Sequence, residues 1–463
     1  MKFNKKKYRF IKFIIIASIL LFPSIIQANE IDLKEAIDWG IKHNYDLEEI
    51  RYNIETLERD LEILDAGKAF QVNLGITPIW DFGEGNSETS LLNLKAEKTI
   101  ADDLNISAEI SWNENDFADT SLEGIIEDVN ASIKIEKQIY PDTYTQNEQQ
   151  IFQTENNLKK KVEELTWKES EKQIDFIESY LTLVRLTEEV NLAEKNFQLA
   201  TEELERVQQQ IRLGEGGYRQ ETAAKLALME AENQLFSLKQ NLIQQQKEGY
   251  LELNLPEDIQ IQFNEEPAYL QTLRSNIEQL TFESEKQETL FHQALEKHYQ
   301  IKNDYIDKEA LLKEAKWTEN EGKPQINING GYDLSDDYWY AMLDLSWNLI
   351  DGGAQKLKEK GAEATILQKE KELDQLTKTL QLEMNQIINQ DQYNQLDLQA
   401  KLAALEQEQY TKNILEKQYQ EKIISYTQWQ NQLIALAEKE LKVKEAQDIL
   451  LVNRLRLAHF LGI

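Results

Sequence analysis

Between Tyr144 and Ile211 the chain carries neither proline nor glycine, and from Ile177 onward its apolar residues fall at Ile177, Leu181, Val184, Val190, Ala193, Phe197, Ala200, Leu204, Val207 and Ile211. Apart from the step of six between Val184 and Val190 these are steps of three and four, the seam of a coiled coil, because they hold one face of an α-helix toward a partner. Glu, Gln, Lys and Asn fill most positions between. A helix of about 68 residues, at about 1.5 Å each, reaches on the order of 100 Å. Such a helix depends on packing of its apolar stripe, so it requires other long helices in this chain or in further copies of it. The run stops at Leu213-Gly214-Glu215-Gly216-Gly217, a helix-ending signal.

Composition follows the same bias, with only 6 prolines and 17 glycines in 463 residues. The first 28 residues stand apart. Lys2, Lys5, Lys6, Lys7, Arg9 and Lys12 precede a short apolar core from Phe13 to Phe22, then Pro23, Ser24 and Gln27-Ala28. This reads as a secretory signal peptide, since about ten apolar residues are short for a membrane span of about 20. Removing those six basic residues and no acidic ones from 51 basic and 83 acidic leaves 45 against 83, a net charge of −38. Such a surface excludes nucleic acid as a natural partner. There is no cysteine, so neither disulfides, thiolate metal sites nor a lipid-modified cysteine enter the reading. No later apolar run approaches the length of a spanning helix. Membrane insertion would therefore require strands closed into a barrel.

The remaining chain reads as alternating helices and strands. Ile31 to His43 and Asp46 to Gly67 have helical spacing. Gln71 to Trp80 switches to period two, as do Leu92 to Ala96, Ile106 to Trp112 and Val129 to Ile135. Phe82 to Ser87 reads as a glycine turn and Asn113 to Asp128 as an acidic linker. After the long helix, a second from Gln220 to Leu253 folds back as an antiparallel hairpin. Pro267 opens a helical region to Trp317. Strands follow at Gln325 to Leu334 and Trp339 to Leu349, with a turn at Asp351-Gly352-Gly353. A second long helix spans Ala354 to Gln420, a turn spans Glu421 to Tyr426, and a last helix reaches Phe460.

The order of events recurs. Gln71 to Ile76 pairs with Gln325 to Gly330 at an offset of 254, whereas Leu213-Gly214 pairs with Glu421-Lys422, and Leu253-Asn254-Leu255 with Leu461-Gly462-Ile463, at 208. The difference of 46 locates an insertion between the first strand and the first long helix, where an extra strand pair lies. The fold class is α+β, in two internal repeats, 29–258 and 259–463. Its long antiparallel coiled-coil helices accompany strands that, pooled from several copies, would close a shared transmembrane β-barrel; a soluble β-subdomain with one face on a core is the other reading of the same alternation. Four to six strands are too few for a pore in one chain. The charged helices would project into an aqueous compartment.

No catalytic constellation emerges. His43, His292, His298 and His459 lack ligand spacing and read as surface helical residues, and Met229, Met342 and Met384 as fillers. No phosphate loop or nucleophile–base pair is present, so the chain reads as a non-enzyme without cofactor or metal.

In sum, the chain resembles the outer-membrane efflux protein family, the TolC-type channel-tunnels. The resemblance rests on the duplicated order and the export signal. It rests also on Leu33-Lys34-Glu35-Ala36-Ile37 with His43-Asn44, Ile350-Asp351-Gly352-Gly353, and Leu457-Ala458-His459-Phe460-Leu461-Gly462. It implies a homotrimer set in outer-membrane lipid. It also implies a passive conduit for tripartite efflux or type I secretion, gated at helix tips that meet a periplasmic adaptor (membrane fusion) protein and an inner-membrane RND or ABC pump. Carried over, the tips are Leu213, Gly214, Glu215, Gly216 and Gly217, then Lys422, Ile423, Ile424 and Ser425. The family favours glycine at each tip, and Lys422 departs from that. Its acidic constriction matches Gln428 and Asn431, which are polar and uncharged here. Its proline before the first strand is Phe70 in one copy and Pro324 in the other. A periplasmic structural or adaptor coiled coil remains the alternative.

Overall fold

A computed structural model describes residues 29–81, 87–100, 104–114, 129–141, 144–215, 217–256, 259–261, 267–278, 287–334 and 336–462. The expected signal peptide at 1–28, most of the expected glycine turn at 82–87 and most of the expected linker at 113–128 lie outside the described residues.

The elements in order are β1 (Asn29–Ile31), α1 (Leu33–His43), α2 (Tyr45–Gly67), β2 (Gln71–Asp81), β3 (Ser87–Ile100), β4 (Leu104–Glu114) and β5 (Val129–Tyr140). Then come α3 (Gln146–Arg212), α4 (Tyr218–Glu252), β6 (Ile259–Ile261), α5 (Ala268–Glu278), α6 (Gln287–Lys297) and α7 (Tyr299–Glu321). The chain ends with β7 (Gln325–Asp333), β8 (Tyr338–Ser346), α8 (Ala354–Gln420) and α9 (Tyr426–Leu461). The long helices and all the strands of the alternating segments lie where the sequence puts them. Two differences have local causes. Residues 29–31 form β1, parallel to β6, because Asp32 starts α1 with a capping box: its carboxylate accepts from Glu35 N–H while the Glu35 carboxylate accepts from Asp32 N–H. Among the described residues, the helical region from Pro267 to Trp317 is divided into α5, α6 and α7. His298 takes an extended conformation between α6 and α7, and its Nδ1 caps the latter by accepting from Gln300 N–H at 3.3 Å.

Two compact units divide the chain, one comprising residues up to Asn44, Gln173–Leu280 and Gln395–Val452, the other Tyr45–Lys172, Thr281–Asn394 and Asn453 onward. The second holds a six-stranded, wholly antiparallel sheet in the order β2-β3-β4-β5-β7-β8. Its register aligns the period-two pattern of each strand with the next. Val72, Leu74, Leu94, Ala96, Ala108, Ile110, Ile133, Ile135, Ile328, Leu343 and Leu345 fall on one face. Asn73, Lys95, Glu97, Ser107, Glu109, Ser132, Lys134 and Asn329 fall on the other. The apolar face is bare: Leu74 is 65% exposed, Leu343 69% and Leu345 65%. An uncovered apolar face of this extent marks an interaction surface. The polar face is cross-linked, with Asn93 Nδ2 donating to Glu109 at 2.8 Å and Lys134 3.8 Å from the same carboxylate.

The helical core of this unit joins Leu380, Met384 and Ile388 on α8, Leu457, Phe460 and Leu461 on α9, Phe291 and Ala294 on α6, and Ile301 on α7. Arg454 Nε donates to the buried Asp391 at 3.0 Å. Beside this core, His298 and His459 flank Trp167, with ring centroids at 4.3 and 4.1 Å. The sequence reading placed these histidines on the surface, yet His298 is only 5% exposed. Burial, with a contribution from His459, pushes His298 down to about 4. Burial also lowers His459, so both rings are neutral at pH 7 and act as aromatic packing.

In the first unit the seam of α3 is buried at Ile177, Leu181, Val184, Val190, Ala193 and Val207. Phe176, Tyr180, Leu183 and Leu186 are buried as well, so this stretch is covered on more than one side. A Cβ on Gly40 of α1 would run into the ends of the Leu253 and Phe176 side chains, so a larger residue there would have to push them aside. Among the described residues no helix is long and apolar enough to cross a membrane.

Leu457 is fully buried, and Leu457→Ala should cost about 2–5 kcal/mol by transfer and cavity terms. Gly361, inside α8 with open space around it, gives the contrast, since Gly361→Ala should stabilise by about 0.5–1 kcal/mol. Denaturant unfolding followed by circular dichroism checks both.

Candidate functional site at the hairpin turns

The turns that end α3 and α8 share one backbone geometry. Gly214 N–H donates to the Ile211 carbonyl at 3.0 Å and Glu215 N–H to Gln210 at 2.9 Å, while Lys422 N–H donates to Tyr419 at 2.9 Å and Ile423 N–H to Gln418 at 2.8 Å. Each is a Schellman closure, which requires a left-handed residue after the helix. Gly214 has φ +80° and Lys422 φ +61°. The lysine therefore occupies the glycine conformation that its side chain disfavours by about 1 kcal/mol or more. Leu213 is 74% exposed and Ile423 66%; Glu215 is exposed, Ile424 half-buried, and Gly216 lies outside the described residues.

The helices that leave the turns are capped alike. The Gln220 side chain accepts from Gly217 N–H at 3.2 Å, and the Gln428 side chain accepts from Ser425 N–H at 2.9 Å. Ser425 Oγ in turn accepts from Gln428 N–H at 3.2 Å, which completes a capping box. Gln428 thus holds the start of α9, and Asn431 is exposed on the next turn.

Residues missed by sequence reasoning organise this site. Thr427 Oγ1 on α9 donates to Glu203 Oε2 on α3 at 2.8 Å, tying the second hairpin to the first. Arg206 Nε donates to the same carboxylate oxygen at 3.0 Å. The Arg206 guanidinium, helped by the Thr427 hydroxyl, holds the Glu203 carboxyl below the usual carboxylate range. Within the second hairpin, Tyr419 and Trp429 stack with ring planes 9° apart, and Lys412 lies 5.9 Å above the Trp429 ring. Gln432 Nε2 donates to Glu408 at 2.6 Å. Farther along, Lys444 pairs with Glu188, and Arg185 lies 3.7 Å from Glu445, so α3 and α9 run antiparallel. Glu203 and Thr427 are separated by 224 residues. The heptad pattern identifies the seam but not which polar neighbour faces the other hairpin. Chemically, the arrangement is a hydrogen-bonded latch between two helix pairs, carrying exposed apolar turns. Among the described residues no three His, Asp or Glu side chains come together as metal ligands.

No protein-family model and no curated protein matches the sequence. The fold does match solved structures. CusC, in structures concerned with conformational changes accompanying folding and transmembrane channel formation, is 12% identical, with 96% of this chain and 95% of that chain covered and a TM-score of 0.66. The outer membrane protein VceC of Vibrio cholerae is 13% identical over 93% of this chain and 96% of that chain, with a TM-score of 0.61. The open state of the Neisseria gonorrhoeae MtrE outer membrane channel is 12% identical over 96% and 93%, with a TM-score of 0.63. This chain has the fold of these outer-membrane channels over nearly its whole length.

Two outcomes test the latch and its turns. Gly214→Ala, forced to φ +80°, should destabilise by about 1 kcal/mol, and Lys422→Gly should gain up to about 1 kcal/mol, in thermal unfolding. Because the folded-state pKa of Glu203 is depressed, its stabilisation is full above the usual carboxylate range and is lost as pH falls through the lowered value. Hydrogen exchange of residues 421–431, corrected for intrinsic rates, should therefore rise only on strong acidification, and at neutral pH in Glu203→Gln.

Proposed function

We propose, from that shared fold, that the chain belongs to the outer-membrane efflux protein family and is the channel-tunnel of a tripartite efflux or type I secretion system. It is a passive conduit and not an enzyme. The observation that carries this reading is the sheet. One face is apolar and bare across all six strands, and the other is charged and hydrogen-bonded. A barrel wall needs those two faces, one for lipid and one for water. In the same chain, α3 and α8 are charged along their 67 residues, which suits an aqueous tunnel and excludes them from a bilayer.

In this reading three copies assemble, residues 1–28 direct export, the strands enter the outer membrane and the helices extend into the periplasm. A duplicated chain, with repeats at 29–258 and 259–463, is supported by matched element lengths. The α1 and α6 helices each span 11 residues, α2 and α7 each 23, and all four bounds differ by 254. The α3 and α8 helices each span 67 residues, displaced by 208. Asn254 and Gly462, also 208 apart, both have positive φ. The extra pair in the first repeat is β3–β4.

The turns Leu213–Gly217 and Lys422–Ser425 are the surface for a periplasmic adaptor. Through it they connect to an inner-membrane pump of the RND or ABC type. Exposed Leu213, Tyr218, Ile423 and Tyr426 supply the apolar contacts. Gln428 and Asn431 line a polar, uncharged constriction. Opening separates α9 from α3 and breaks the Thr427–Glu203 hydrogen bond, a two-state repacking of helix pairs.

Planar-bilayer recording of detergent-extracted protein tests this function. The wild type should form channels of low conductance. Thr427→Val and Glu203→Gln should raise conductance or open time, and a Glu203→Cys/Thr427→Cys pair should close the channel when oxidised and release it on reduction. Protein that fractionates as a soluble rod and never forms channels would overturn the reading.

A further inference from the structure

Resting on the channel reading above, we infer that the hairpin β3–β4 forms part of the membrane wall itself, and that β2 of one copy pairs with β8 of the next. Three copies of this six-stranded sheet then close an 18-stranded barrel.

The position of the hairpin is the first support. The strands β3 and β4 lie inside the sheet, and they separate β2 from β5. All described ladders along this path are antiparallel and regular: β2 pairs β3 from Gln71↔Glu97 to Asp81↔Ser87, and β3 pairs β4 from Ser90↔Glu114 to Ile100↔Leu104. A hairpin standing off the wall would leave β2 and β5 to pair directly.

Face continuity is the second. The apolar line passes through the hairpin without interruption, as Leu74↔Leu94, Leu94↔Ile110 and Ile110↔Ala131. The polar line does the same, as Asn73↔Lys95, Lys95↔Glu109 and Glu109↔Ser132. The Glu109 carboxylate binds Asn93 of β3 at 2.8 Å and lies 3.8 Å from Lys134 of β5, so the hairpin and the neighbouring strand share one polar surface. A one-residue slip anywhere would have exchanged the two faces.

Closure is the third. An even number of strands makes β2 and β8 run in opposite directions, so β8 of one copy meets β2 of the next antiparallel. The heterologous contact closes into a ring. Leaving either edge open in lipid costs several kcal/mol for each unsatisfied backbone group. One chain cannot close alone, because about eight strands already fill a barrel with side chains, whereas Lys95, Glu97, Glu109 and Lys134 need water. At a strand spacing near 4.8 Å and a tilt near 40°, about 18 strands enclose a wall about 35 Å across, against about 24 Å for about 12. The insertion therefore widens the outer-membrane opening and leaves the long helices unchanged.

The chain has no cysteine, so single thiols report cleanly. Ser107→Cys and Ala108→Cys on β4, with Ser132→Cys and Ala131→Cys on β5, are small changes on opposite faces. In outer-membrane vesicles a charged maleimide should label Ser107→Cys and Ser132→Cys at least about tenfold faster than Ala108→Cys and Ala131→Cys, since only a hydrated thiolate reacts. Alternation on β5 with none on β4 overturns the inference and leaves the channel reading intact. Loss of alternation on both strands overturns the two together. Electron cryomicroscopy of the extracted assembly supplies the count: 18 wall strands uphold the proposal, and 12 overturn it.

Discussion

The structure depends on one packing problem, which is to cover the apolar seam of α3 along 67 residues. Side chains at three- and four-residue spacing fill holes in a neighbouring helix and can slip only by whole repeats. Polar contacts along the flank select among those registers. Glu203 with Thr427, Glu188 with Lys444 and Arg185 with Glu445 form a series that ascends α3 as it descends α9. Each such pair is partly exposed and contributes at most about 1 kcal/mol, so the seam supplies the stability and the pairs supply the alignment.

The sheet solves a different problem with the opposite logic. Its backbone groups are paired strand to strand, and its side chains divide by solvent rather than by core and surface. Among the described residues the apolar belt stays exposed, while the polar side is stitched by Glu109, Asn93 and Lys134. A soluble sheet with this pattern would pack its apolar side under helices. Here the long helices bury their stripes against one another instead, as Leu380, Met384 and Ile388 do with Leu457 and Phe460.

Much of this was legible in the chain because long repeats of one period leave little choice. Helix α8 begins where Asp351 accepts from Gly353 and Gln355 N–H and two glycines take positive φ, a turn signal visible as Asp351-Gly352-Gly353. Less was legible where a side chain overrides propensity. His298 interrupts a helical stretch by capping α7, and its burial beside Trp167 follows from packing that no local pattern encodes. The strand β3 extends to 14 residues, well beyond the alternation at Leu92 to Ala96, because its ladder partners carry it farther than its own pattern does. At the hairpin turns, glycine marks the left-handed position at Gly214, and Lys422 takes the same conformation without it. The backbone hydrogen bonds of the Schellman closure impose the conformation whichever residue occupies it.

The identical length of α3 and α8 carries a consequence for how such a chain can change over time. Adding a single residue to one of them would rotate everything beyond it by about 100° and advance it by about 1.5 Å, turning seam residues outward and separating Glu203 from Thr427. Tolerated edits must therefore arrive as whole heptads, or be mirrored in the antiparallel arm. The strands are free of that rule, since a hairpin adds two at once and restores the alternation of directions. Lineages of this architecture should therefore diversify in the sheet and remain fixed in the arms.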